Sequence, residues 1–285
     1  MKKYKIVIVL GLTIAFVTGP TEALYAKKPR SAEKPTGTAA GSNPKDPGGH
    51  SALGVEAAKQ HDYEKAIAEF SKAIEAEPGD ANNYFNRGTA YRGVNKLTEA
   101  SADYAKAIEL DSQNVAAYIG RGEVLVVQKQ MDPALADFDK ALQIAPDNVL
   151  ARRFRGFVFI SKSEWEKAVG DYQVVIQKVP DDGGAYERRA FAYRNLKKYK
   201  EAIADYTKAI ALDPKDPDGY RRRAQAYTLA GDPQGAAADF RALLKIKADD
   251  ADAQSRLKAI ETRANSSPGP GAAAASAAPA PPSKP

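Results

Sequence analysis

From Pro47 the sequence repeats every 34 residues, six times over and without insertion or deletion: 47–80, 81–114, 115–148, 149–182, 183–216 and 217–250. Nothing else in the chain constrains its fold as strongly. Alanine stands at the twentieth position of every unit, as Ala66, Ala100, Ala134, Ala168, Ala202 and Ala236. Four residues later come Phe70, Tyr104, Phe138, Tyr172, Tyr206 and Phe240, and three further on Ala73, Ala107, Ala141, Val175, Ala209 and Leu243. Spacings of three and four are those of one helix face. The eighth position is Gly54, Gly88, Gly122, Gly156, Ala190 and Ala224. Glycine inside a helix costs about 1 kcal/mol against alanine, so its recurrence predicts a second helix passing close by. Each unit is then a helical hairpin that cannot bury its own apolar face, and neighbours must stack.

This pattern resembles the tetratricopeptide repeat, over 204 of the 285 residues. The resemblance implies an all-α fold, a right-handed α-solenoid of six helical hairpins. A helix over 251–264 is expected to cap it, with Leu257 and Ile260 on one face and Arg256, Lys258, Glu261 and Arg263 on the other. Asp132-Pro133 and Asp232-Pro233 predict helix starts, with aspartate as cap and proline where its missing N–H costs nothing. Departures are local: Ser112 and Ala248 replace the closing proline of other units, and His50, Arg152 and Gln254 stand where the family often has an aromatic.

The flanks read differently. Lys2, Lys3 and Lys5 precede an uncharged run from Ile6 to Gly19, and small residues follow at Ala23 and Ala26. That order matches a secretory signal over 1–26, cleaved after Ala26 or Ala23, and the run is short for the roughly 20 residues of a membrane span. The expectation is an exported protein, periplasmic or secreted, with no integral span in the mature chain. Residues 27–46 and the Ala/Pro-rich 265–285 carry no hydrophobic period and read as a linker and a tail. The net charge of +6 comes entirely from these flanks, because 47–264 holds 33 basic and 33 acidic residues. A neutral repeat region gives no reason to expect nucleic acid. It is nonetheless polarised: 47–148 carries a net −6 and 149–264 a net +6.

Little in the chain suggests chemistry. Without cysteine there is no disulfide, thiolate metal site or thiol nucleophile. His50 and His61 lack the three or four convergent ligands of a metal site and read as packing or surface residues. Trp165, at a position shared with Tyr63, Leu97, Met131 and Tyr199, reads as packing. No phosphate-binding loop or nucleophile motif occurs, so neither enzyme activity nor a cofactor or metal is expected. Arg87, Arg121, Arg155, Arg189 and Arg223 share the seventh position, and each accompanies an aspartate at the twenty-third: Asp103, Asp137, Asp171, Asp205 and Asp239. The first unit has Leu53 and Glu69 there instead. This co-occurrence predicts a structural Arg–Asp bridge, within a repeat or between neighbours.

The family implies a non-enzymatic adaptor, with a concave groove lined by the second, fifth, sixth, ninth, twelfth and thirteenth positions. These carry Phe85, Asn86, Thr89, Ile119, Glu123 and Val126 in the second and third units. The fourth offers Arg153, Phe154, Phe157 and Ile160, and the last two Arg188, Phe191, Arg194, Arg221 and Arg222. Apolar surface passing into arginine suits a protein or peptide ligand that is acidic or amphipathic. The carboxylate clamp of chaperone-tail binders is not expected, since Ser51, Val55, Ala116 and Gly120 stand in place of its Lys, Asn, Lys and Arg. Two alternatives are self-association, acidic end to basic end, and an envelope tether through the flanks. High salt should weaken the first.

Overall fold

The computed structural model describes residues 47–266 and, in a separate unit within residues 1–42, two short strands, Ile8–Val9 (β1) and Leu12–Thr13 (β2), paired antiparallel. The linker at 27–46, nearly all of the tail and most of the export segment lie outside the described residues.

Thirteen helices follow among the described residues, twelve of them in hairpins: α1 (Pro47–Lys59) with α2 (Tyr63–Ala76), α3 (Ala81–Gly93) with α4 (Leu97–Leu110), α5 (Val115–Val127) with α6 (Met131–Ile144), α7 (Val149–Ser161) with α8 (Trp165–Lys178), α9 (Gly183–Asn195) with α10 (Tyr199–Leu212), and α11 (Pro217–Ala230) with α12 (Pro233–Ile246). The last, α13 (Ala251–Ser266), runs two residues past the expected 264 and packs Leu257 and Ile260 over the end of the stack. Each helix touches mainly its hairpin partner and the next hairpin, the arrangement of an α-solenoid.

Local chemistry sets the helix ends. Asp80, Asn114, Asn148, Asp182, Asp216 and Asp250, the closing residue of each unit, accept from backbone N–H groups of the helix that follows. Inside each hairpin the turn needs one left-handed residue, supplied by His61, Asn95, Lys129, Ser163, Lys197 and Gly231. Asp232 caps α12, with Pro233 first in the helix. Asp132 does not cap α6: that helix starts at Met131, leaving Asp132 and Pro133 inside its first turn. Proline is tolerated there because first-turn N–H groups have no helical partner.

The core follows the period. Ala66, Ala100, Ala134, Ala168, Ala202 and Ala236 are all 0 % exposed, and the aromatic residues one turn later are buried with them. Glycine at the eighth position is where the aromatic ring crosses the opposite helix: a Cβ on Gly122 would lie 2.6 Å from the Phe138 ring. Gly122→Ala should therefore destabilise by about 1–2 kcal/mol, because overpacking outweighs the gain in helix propensity. Gly170→Ala, in α8 with nothing within 4 Å, should instead stabilise by up to about 1 kcal/mol. Urea unfolding of the pair checks both signs.

The five Arg–Asp pairs all form, each within its own repeat. Nε and Nη2 of every arginine reach both carboxylate oxygens of its aspartate, at 2.6–2.9 Å. In four of them Nη1 also donates to the preceding repeat: Arg87 to Ser71, Arg155 to Asp139, Arg189 to Gln173 and Arg223 to Thr207. Arg121 has Ala105 at the corresponding place and lacks this third bond. Hydrogen bonding to the aspartates, more than charge alone, pushes the guanidinium pKa values upward. The bridge thus ties hairpin to hairpin as well as helix to helix. In the first repeat His50 substitutes for the missing arginine, its Nδ1 2.6 Å from Glu69, which is why a buried imidazole sits there.

Candidate functional site

The odd-numbered helices converge. Direct contacts link α1 to α3, α3 to α5, α5 to α7 and α7 to α9, whereas no comparable contacts link successive even-numbered helices among the described residues. The odd helices therefore form the inner wall of the solenoid, and their exposed side chains line its groove.

Polar side chains stitch this wall. Ser51 donates to Asn83, Arg92 pairs with Glu123, Arg194 donates to Gln225 at 2.8 Å and Arg222 to Glu187 at 2.8 Å. Arg153 pairs with Asp182 at 2.5 Å and Arg221 with Asp250 at 2.5 Å. In the last two pairs an arginine at the fifth position reaches the aspartate capping the next odd helix.

The sequence-derived groove residues accordingly divide. Ile119 is 4 % exposed and belongs to the core. Arg153, Arg221 and Arg222 lie on the inner wall but pair with carboxylates that lie on, or cap, the neighbouring odd-numbered helices, so their charges are largely compensated. Arg194 lies there too, held by the neutral Gln225 amide, which leaves its charge in place. Arg188 is half-buried and makes no hydrogen bond or ion pair with the described residues. Phe85 is half-buried, its ring centroid 5.8 Å from that of Tyr104, and Asn86 is half-buried beside it. Phe157 is half-buried over the core of the third and fourth repeats. Phe191 packs edge-on against Trp165, at 5.8 Å, and under the Arg194 guanidinium, at 4.9 Å. Partly exposed apolar surface and two cations without an ion-pair partner among the described residues, Arg188 and Arg194, thus coincide across α7 and α9.

Two depressions flank that stretch. One, of about 490 Å³, is shallow and lies between the C-terminal ends of α9 and α11 and the side of α13; Arg194, Gln225, Leu229 and Arg256 line it. Leu229 is 54 % exposed there. The other, of about 300 Å³, lies at the opposite ends of α9 and α11 and carries Glu187. Burial lifts the Glu187 carboxyl above the ordinary carboxylate range; Arg222 opposes the shift and Asp216 adds to it. Sequence reasoning passed over Glu187 and Leu229, and placed Arg256 only on the polar face of the capping helix. Glu187 was detectable, since it stands where the flanking repeats have Arg153 and Arg221. No group of three or more His, Asp or Glu able to hold a metal ion occurs among the described residues.

Family models described as tetratricopeptide repeat match residues 47–80 and 85–149, and one described as TPR repeat matches 192–231. No curated protein matches significantly. Among solved structures, YrrB, a TPR protein with an unusual peptide-binding site, is 28% identical with a TM-score of 0.61, over 66% of this chain and 97% of its own. MamA from Desulfovibrio magneticus RS-1 is 20% identical with a TM-score of 0.57, over 60% of this chain and 97% of its own. At that identity the likeness is one of fold.

Proposed function

Because the chain belongs to the tetratricopeptide repeat family, we propose that it is a non-enzymatic adaptor holding a peptide or helix of a partner protein in the groove of its odd-numbered helices. The observation that carries this reading is the stretch where Phe157 and Phe191 stay half-exposed beside the unpaired Arg188. A peptide with an apolar anchor and an acidic residue fits it: the anchor covers the rings and the carboxylate takes the guanidinium. Likeness to the peptide-binding YrrB supports the class of ligand. The N-terminal run of lysines, apolar residues and small residues supports action outside the cytoplasm, in the periplasm or secreted. No helix among the described residues is long and apolar enough to cross a membrane.

Crosslinking in intact cells, with the partner identified from the periplasmic fraction, tests the reading. Phe157→Ala and Arg188→Glu should each reduce capture at least about tenfold, as expected of central anchors. Lys208→Glu, exposed on α10, should leave capture unchanged. If circular dichroism shows both groove variants folded and capture persists, the partner does not use this groove. Head-to-tail self-association, which the opposite charges of the two halves favour, is separated from the adaptor reading by sizing at low and high salt.

A further inference from the structure

The sixth position of each repeat lies on the inner wall, and its chemistry changes partway along. It is Ala52, Asn86, Gly120 and Phe154 in the first four repeats, then Arg188, Arg222 and, at the same place in α13, Arg256. Three successive inner helices thus carry one arginine each, 34 residues apart. Arg194, also on α9, adds a fourth cation.

The donors of this row are not used up. Arg188 has no partner among the described residues. Arg222 uses only Nη1, on Glu187, and Arg194 only Nη1, on the neutral Gln225. Arg256 uses only Nε, on Asp252 one turn earlier, and both of those side chains are 51 % exposed. Against four guanidiniums stand Glu187, Asp252 and, 4.0 Å from Arg222, Asp216, so the row stays net positive.

The helices set its spacing. Arg194 and Arg222 bridge α9 and α11, and Arg221 reaches the residue that caps α13. The three helices are packed neighbours, and the axes of packed helices lie about 8–10 Å apart. In a polyproline II chain three residues make one turn and rise about 9 Å, so side chains three apart share a face at that interval. A β-strand covers the same length but turns the third side chain to the opposite face. Beside the row, between Arg194 and Arg256, lies the shallow 490 Å³ depression with Leu229, the most exposed of the large apolar side chains described.

We propose that the groove from α9 to α13 binds an acidic segment of a partner protein in the polyproline II conformation. A carboxylate at every third residue meets Arg188, Arg222 and Arg256 in turn, and small apolar residues between them cover Leu229. Charge excludes the flanks of this chain as the occupant: 265–285 has no acidic residue, and 27–46 has five basic residues against two acidic. The inference rests on the adaptor reading and extends its single acidic contact into a row.

Fluorescence anisotropy of a labelled peptide of four Glu-Pro-Pro triplets, titrated with the full chain at low salt, tests it. Saturable binding is expected, weakening as salt rises. The same peptide with Gln for Glu should bind at least about tenfold more weakly. One with its four Glu in a block should bind about threefold more weakly, since it aligns fewer carboxylates with the row and each exposed pair is worth up to about fivefold. Arg188→Gln and Arg256→Gln break no buried contact and should each weaken binding about two- to fivefold. Arg188, Arg222 and Arg256 replaced together by Gln should weaken it at least about tenfold. Glu187→Gln removes the chain's own competing carboxylate and should tighten it. Circular dichroism checks that each variant is folded. No saturation, equal binding of the Gln or the block peptide, binding unchanged in the triple variant, or binding weakened by Glu187→Gln overturns the proposal. So does tighter binding of a helical peptide with Glu at every seventh residue, which spans about 10.5 Å. Should the proposal fall while Phe157→Ala still weakens capture, the adaptor reading stands on its own.

Discussion

Alanine at Asp171 should lower the stability of the array by about 3 kcal/mol, whereas alanine at Asp139, 32 residues earlier, should cost less than about 1 kcal/mol. Both aspartates bond the same arginine, Arg155, at 2.6–2.8 Å. They differ in solvent. The Asp171 side chain is 3 % exposed and also lies 3.3 Å from Arg152, while Asp139 is 59 % exposed. Removing Asp171 leaves two guanidiniums against a packed helix without their main counter-charge, and an uncompensated buried charge costs about 3–5 kcal/mol. The lower end applies because Arg155 keeps Asp139 and is itself 22 % exposed. Urea midpoints of the two variants decide the matter. Equal, small losses would mean that the repeated bridge is a solvated decoration. Replacing both partners, Arg155→Met with Asp171→Leu, should recover only part of the loss, since Arg152 still lacks its carboxylate.

That bridge also shows how far the sequence could be read. Five arginines and five aspartates that travel together identify a pair, because in a repeat the same contact is written several times over. Whether it lies within a hairpin or between hairpins is not written, since a spacing of 16 residues has its counterpart of 18 across the repeat boundary. Geometry settled it, and showed that the third donor crosses the boundary as well. The helix start at Asp132 was misread for a related reason: an Asp-Pro pair suits the whole first turn, and the left-handed Lys129 fixes where that turn begins. For the groove, register in the family nominated the right wall but not the free side chains. Ile119 is drawn into the core, and Arg153, Arg194, Arg221 and Arg222 are held by residues about 30 positions away. Composition counts charges, not the partners that compensate them. Glu187 vanished into the acidic total for the same reason, though its position made it the exception.

Alanine at Phe138 should remove about 3–5 kcal/mol and, more tellingly, divide the molecule. The ring is 0 % exposed, fills the gap opened by Gly122, and stacks on Phe154 of the next repeat at 5.6 Å and 10°. It therefore belongs both to the third hairpin and to the interface between the third and fourth. In a linear array each repeat is stabilised by itself and its nearest neighbours only. A loss placed in the middle removes one hairpin and two interfaces, and the segments on either side keep their own contacts. Amides of α5 and α6 should then exchange through local opening. Those of α9 to α13 should keep nearly their original protection, and the unfolding transition should broaden or split. Phe70→Ala removes an equally buried ring, 0 % exposed, from the first repeat, where there is a neighbour on one side only. It should fray that end and leave the rest of the transition sharp. Hydrogen exchange followed by mass spectrometry reads both cases segment by segment. Protection lost uniformly from α1 to α13 in the Phe138 variant would show that the array folds as a single cooperative unit and that the nearest-neighbour description fails for it.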